Sequence, residues 1–273
     1  MTTIGIIGFG SIARDLIDVL VAQDPAPDAL VLLVRPGNQA EVLAAVQAQA
    51  AERCAITVIS DIAGLLARAP DTVAECASHS AVAAYGPAIL GAGVDLVVAS
   101  IGALANPDTE AALSEAAKVG RAQLVLPAGA IGGIDMLAAA RLSGLRSVLY
   151  TGRKPPSAWA GTPAETACDL GALTEPTVFF RGSARQAATE FPKNANVAAT
   201  LALAGMGMDD TRVELVADPT VDSNIHEFTV RSAAVDFNVS LTAKPSARNP
   251  KTSASTAYSM ARAVLNRSGA IVI

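Results

Sequence analysis

Gly8, Gly10 and Ala13 stand at the spacing G-x-G-x-x-A in the stretch Gly8-Phe9-Gly10-Ser11-Ile12-Ala13. At that spacing the first glycine permits a sharp strand-to-helix turn. The second lets backbone approach a pyrophosphate, and the third small residue lets the helix pack closely on the strand. The first amides of the helix and its positive dipole end then face the phosphates. Glycine turns are common, so the pattern gains its weight from its context. Apolar Ile4 to Ile7 precede it, and Ile12, Leu16, Ile17 and Leu20 follow at helical spacing. The chemistry this implies is dinucleotide binding, with Gly8, Gly10, Ser11 and Ile12 as candidate contacts.

A second cluster bears on which dinucleotide is bound. The apolar run Ala29 to Val34 ends at Arg35-Pro36-Gly37-Asn38, without the acid that usually binds ribose hydroxyls at this place. An arginine there can accommodate a 2′-phosphate, so NAD or NADP is the expected cofactor, with NADP at least tolerated. A solvated arginine at a strand end is the competing reading.

The third cluster could move protons. Asp218-Pro219-Thr220-Val221-Asp222-Ser223-Asn224 leads into Ile225-His226-Glu227-Phe228, placing His226 near the start of a strand. Oxidation of a C–H next to nitrogen or oxygen needs a proton acceptor tuned near neutral pH, and imidazole is the side chain that titrates there. His79, the other histidine, follows Glu75-Cys76-Ala77-Ser78 and is better placed to touch cofactor or solvent. Cations that could hold an anionic substrate are Lys251, expected with Thr252 and Ser253 at the opening of a helix, and Lys154 in the loop Arg153-Lys154-Pro155-Pro156. Either lysine could equally be surface charge. Three widely spaced cysteines and two histidines lack metal-ligand spacing, so no metal is implied and reduced thiols are expected.

The elements that must position these groups alternate in type. After the first helix come a strand at Ala29 to Val34, a helix at Gln39 to Ala51 and a strand at Ile56 to Ile59. A short helix at Ile62 to Arg68 precedes a strand at Thr72 to Cys76 and a helix at Ala81 to Ala92. The series closes with a strand at Leu96 to Ala99, a helix at Asp108 to Val119 and a strand at Gln123 to Leu126. Such alternation predicts a parallel sheet with right-handed crossovers and ligands at the carboxyl ends of its strands. Cys76, Ala77 and Ser100 lie in those end loops, as does the glycine-rich Pro127 to Gly133, suited to a flat nicotinamide ring. Beyond Ser143, strand-like segments at Val213 to Ala217, Asn224 to Ser232 and Ala234 to Ala243 lack intervening helices and imply an antiparallel sheet. The fold class is therefore α/β, with an N-terminal Rossmann-type domain over 1–133 completed by a helix over 250–273. A second α+β domain with a mainly antiparallel sheet spans 134–249.

Bulk properties narrow the class. The 273 residues are 51% hydrophobic and 4% aromatic, which suits an α/β protein packed from small side chains. A net charge of −5 without a basic stripe argues against nucleic acid, and no apolar run reaches membrane-spanning length. No secretory signal is read, so a soluble cytoplasmic protein is expected.

The motifs GFGSIA, ECAS, PAGAIGG, KPP, FPKNANVAAT, VADPTVDSNIH and NPKTS, in this order, resemble the L-aspartate dehydrogenase family over essentially the whole chain. The resemblance implies NAD(P)-dependent oxidative deamination of L-aspartate to iminoaspartate, then oxaloacetate and ammonia, linked to NAD biosynthesis. It also implies a homodimer whose second domain carries catalysis and dimerisation. Position by position, it places the catalytic histidine on His226 and cofactor contacts on Ala130 and Asn196. Members of the family can carry histidine where Ser223 stands, a departure that leaves His226 intact. Lys251, Thr252, Ser253 and Lys154 are then candidates for gripping the two substrate carboxylates. Whether His226 deprotonates the ammonium or activates water stays open. The alternatives are a dehydrogenase of another amino or hydroxy acid on the same plan, and a non-catalytic nucleotide-sensing module.

Overall fold

The structure, a computed structural model, describes residues 2–50, 52–191, 195–249 and 252–272. The chain divides into two compact units, Met1–Pro127 with Thr256–Ile273, and Ala128–Ser255.

The first unit runs β1 (Thr3–Ile7), α1 (Ser11–Val21), β2 (Ala29–Leu33), α2 (Gln39–Ala50), β3 (Ala55–Ile59) and α3 (Ile62–Leu66). It continues through β4 (Thr72–Glu75), α4 (His79–Gly91), β5 (Asp95–Val98), α5 (Pro107–Gly120) and β6 (Leu124–Val125). The strands form one parallel sheet in the order β3-β2-β1-β4-β5-β6, as the alternation predicts. β1 lies between β2 and β4, so the strand order reverses there and opens a crevice at their carboxyl ends. Ile4, Ile6, Leu30 and Leu32 of the sheet are fully or almost fully buried with Leu16, Ile17 and Leu20 of α1. Burying each such side chain contributes about 1.5–3 kcal/mol. A last helix, placed after the second unit in the chain, adds Met260, Ala261 and Val264 to the same core.

The second unit contains α6 (Ile134–Leu142), β7 (Leu145–Lys154), α7 (Ala164–Ala167), β8 (Thr177–Ser183), α8 (Ala184–Glu190), α9 (Ala195–Ala204), β9 (Arg212–Ala217), β10 (Ile225–Ser232) and β11 (Phe237–Thr242). Its sheet has the order β11-β10-β7-β9-β8; β7 and β9 run parallel and the other pairs antiparallel. The three consecutive strands share this sheet, β10 and β11 as an antiparallel pair, while β9 and β10 flank β7 on opposite sides. The connection between them is tied to the end of β7: the Asp218 amide donates to the Lys154 carbonyl at 2.9 Å, and its carboxylate pairs with Arg153 at 2.9 Å. Sequence order is therefore not spatial order. The last helix, α10 (Ser255–Leu265), starts later than the expected helix over 250–273, whose opening residues Pro250 and Lys251 lie outside the described residues.

Candidate functional site

In the first unit the turn after β1 meets its predicted requirements at two glycines, for different reasons. Gly8 has φ +90°, and a Cβ there would lie 2.9 Å from the Ala77 Cβ, so both conformation and space demand glycine. Gly10 has an ordinary φ of −81°, and a Cβ would meet nothing within 4 Å. Nothing in the protein requires glycine at position 10; the space it leaves is open to a ligand. Gly10 also caps α1 without any side-chain hydrogen bond, which leaves the helix start to an outside acceptor. These features fit a pyrophosphate.

A cleft of about 830 Å³ opens at this turn, lined among others by Gly8, Gly10, Arg14, Arg35, Cys76 and Ala77. The Arg14 guanidinium lies 4.5 Å from the centre of the Phe9 ring. Of the sequence candidates, Ser11, Ile12 and Ser100 do not line the cleft. The Ser100 hydroxyl is instead spent on Glu75, as described below. Burial pushes the Cys76 thiol well up, aided by the adjacent Glu75 charge, which makes it an inert wall of the cleft. Glu41, in the first turn of α2, also lines the cleft and is an acid the strand-end reading passed over. His79 was expected in a loop; it is the first residue of α4, which Ser78 caps, and it does not line the cleft.

Glu75 escaped the sequence reading although it stands in a quoted motif. It is 0% exposed and accepts from the amides of Ala77 at 2.7 Å and Ser78 at 2.8 Å. Burial raises its pKa, against which these donors work.

In the second unit, His226 is 6% exposed on β10, directly opposite Gly152 of β7 and Leu241 of β11. Its Nδ1 lies 2.8 Å from the hydroxyl of Tyr150, two residues before Gly152 on the same face of β7. Burial, with the nearby Lys154 charge as a second cause, holds the imidazole at about pKa 4, so it is neutral at pH 7. Lys154 is the last residue of β7 and not, as expected, a loop residue; its ammonium lies 4.9 Å from the centre of the Trp159 ring. Desolvation lowers it to about pKa 8, so it is more than a solvated surface charge. Trp159 is itself pinned by its indole N–H, which donates to the Val216 carbonyl at 3.0 Å.

The remaining candidates disperse. The glycine-rich loop passes beside β11, the neighbour of the strand that carries His226: a Cβ on Gly132 would lie 3.4 Å from Leu241, and one on Gly133 would lie 3.1 Å from Val239. Asn196 is exposed near the start of α9, where its carbonyl accepts from the Thr200 hydroxyl at 2.8 Å. Lys251 lies outside the described residues. Thr252 and Ser253 do not open a helix. The Thr252 hydroxyl accepts from the Asn249 amide at 3.1 Å, Ser253 bridges Pro245, and α10 starts only at Ser255. Among the described residues no helix is long and apolar enough to cross a membrane.

Residues 135–267 match the family model "Aspartate dehydrogenase, C-terminal", and residues 8–127 match "Homoserine dehydrogenase, NAD binding domain". The chain is 46% identical to an L-aspartate dehydrogenase of Polaromonas sp., covering 100% of both chains. It is 45% identical to an L-aspartate dehydrogenase of Cupriavidus necator, again over 100% of both. Aspartate dehydrogenase from Thermotoga maritima, a solved structure, superposes with TM-score 0.76 at 26% identity, covering 100% of this chain and 99% of the other.

Proposed function

This chain belongs to the L-aspartate dehydrogenase family and is an NAD(P)-dependent oxidoreductase of L-aspartate; from that premise we propose that His226 is its proton acceptor and Lys154 one of its carboxylate anchors. The observation that carries this reading is a buried, neutral imidazole with Nδ1 occupied, on a sheet whose neighbouring strand ends in a half-buried ammonium. A nicotinamide bound at the Gly8–Gly10 turn would supply the acceptor for the hydride that leaves the substrate Cα. Oxidation releases a proton and leaves iminoaspartate, which water converts to oxaloacetate and ammonia.

His226 takes the proton at Nε2. A free pKa of about 4 makes it a weak base, but a dicarboxylate bound beside it adds negative charge that favours the protonated form. Lys154, largely desolvated, attracts a carboxylate more strongly than a surface lysine does. Positioning of that kind supplies up to about 7–11 kcal/mol of a barrier in well-oriented systems.

In this reading the cofactor is held along the cleft by the turn at Gly8 and Gly10, by Arg35, and by Cys76 and Ala77. The sequence resemblance adds Ala130 and Asn196 as cofactor contacts. The sequence resemblance also supports a cytoplasmic homodimer that supplies iminoaspartate or oxaloacetate chemistry to NAD biosynthesis.

The test is His226→Ala beside Lys154→Met. The first is expected to keep the dissociation constant for NADH while turnover falls by about 100-fold or more, as for loss of a general base. The second is expected to raise the KM for aspartate more than it lowers kcat. Near-normal turnover of the histidine variant would remove His226 from the role.

A further inference from the structure

We infer that Tyr150 is a positioning residue for the proton-accepting imidazole: its phenol oxygen accepts a hydrogen bond from Nδ1–H of His226 and so keeps the lone pair on Nε2. The inference rests on the role of His226 proposed above.

The geometry is built for this pair. Tyr150 and His226 are both buried, their polar atoms are 2.8 Å apart, and their rings are within 18° of parallel. Tyr150 faces Phe228 across β7 and β10, one pleat along from His226, so its ring must lean along the strand to reach the imidazole. Gly152, directly opposite His226, leaves that path clear: a Cβ there would lie 2.8 Å from the phenol oxygen. An alanine in its place would collide with the bond.

A phenol can donate or accept, so the choice of direction is chemical. Imidazole in water favours the Nε2–H form, which has no lone pair facing a substrate. Burial pushes the Tyr150 hydroxyl well above its ordinary pKa, so it remains a neutral phenol throughout the reaction. Once Nε2 has taken a proton, Nδ1 must be a donor and the phenol an acceptor. Having that arrangement in the resting enzyme means that no hydrogen bond has to reverse when the proton arrives. Among the described residues the titratable groups facing His226 are Tyr150 and Lys154, both on β7; Leu241 on β11 and the Gly132-Gly133 turn contribute none.

The chain has only two histidines, so ¹⁵N-labelled histidine gives two ring spin systems, and His226→Gln assigns them. At pH 7 the wild-type His226 ring is expected to show a protonated Nδ1 and a bare Nε2. Observation of Nε2–H in the wild type overturns the inference without any variant at position 150. Tyr150→Phe is expected to switch the ring to Nε2–H and lower kcat by roughly tenfold or more. It should also move the acid limb of kcat/KM to lower pH, because the imidazolium loses its acceptor. Unchanged tautomer and unchanged limb would reduce Tyr150 to packing. Gly152→Ala should reproduce these losses, and the double variant with Tyr150→Phe should be no slower than the slower single variant; additive losses would contradict a shared pathway. The tautomer is read independently of turnover, so failure of His226 as the base leaves it unmoved and the two ideas can fail separately.

Discussion

The carboxylate of Glu75, at the end of β4, accepts both the amide of Ser100 at 3.0 Å and its hydroxyl at 3.1 Å, joining the ends of two adjacent parallel strands. With the Ala77 and Ser78 amides, one side chain fixes the course of both loops that leave the sheet beside the glycine turn. Ala77 is also the residue against which Gly8 has no room for a Cβ.

Glu75→Ala would take the acceptor from those part-buried donors, at a cost of up to about 1–3 kcal/mol for each that water does not reach. A fall in melting temperature together with weaker NADH binding in a fluorescence titration is expected. Glu75→Gln should sit between alanine and wild type, because its amide nitrogen cannot accept. Wild-type cofactor affinity in the alanine variant would show that the loops hold their course without this side chain.

Arg35 and Arg14 line the same cleft, with Glu41 as the acid beside them. If Arg35 meets a 2′-phosphate, Arg35→Asp replaces attraction by repulsion, and the ratio of NADP to NAD efficiency should fall by about tenfold, equivalent to about 1.4 kcal/mol. Dissociation constants for NADPH and NADH should move in the same sense. An unchanged ratio ends the assignment of Arg35 to the 2′-phosphate.

His226 links pH to stability. Its folded pKa of about 4 lies below the ordinary value of 6.5, so between those values the unfolded chain binds the proton more readily. Stability should therefore rise with pH through that window and be lost as pH falls from 6.5 toward 4. The contribution is on the order of 3 kcal/mol at full extent. Urea unfolding at pH 7 and pH 4.5, compared with His226→Gln, isolates it. An identical pH slope in the variant would contradict the buried neutral state.

Much of the first unit is legible because its strands are continuous apolar runs and its helices carry helical apolar spacing. β2 shows this in Ala29–Leu33, and the turn declares itself through Gly8 and Gly10. The second unit is less so. Sequence shows that β10 and β11 neighbour each other, but it carries no sign that β9 lies on the far edge of β7, since pairing across long separations leaves no local pattern. Lys154 reads as loop because two prolines follow it, yet the strand persists to that residue. Tyr150 is hidden for a similar reason: in an alternating strand it is one more inward residue, and only the diagonal across Gly152 gives its hydroxyl a purpose. Glu75 looks like an ordinary polar residue after an apolar strand until the loops it collects are seen in space. A proline and two hydroxyls suggest a helix start at Thr252 and Ser253, whereas these hydroxyls make local bonds ahead of α10.

Because α10 supplies Met260, Ala261 and Val264 to the core beneath α1, the first unit is built from both extremities of the described chain. During synthesis, the β1–β2 sheet emerges early with part of its apolar covering still unmade, and that gap persists until the whole second unit has left the ribosome. The nascent nucleotide-binding fold thus spends most of its birth unfinished. A fragment ending near Pro127 should then be sticky and chaperone-dependent, and should regain solubility when a peptide spanning α10 is supplied in trans.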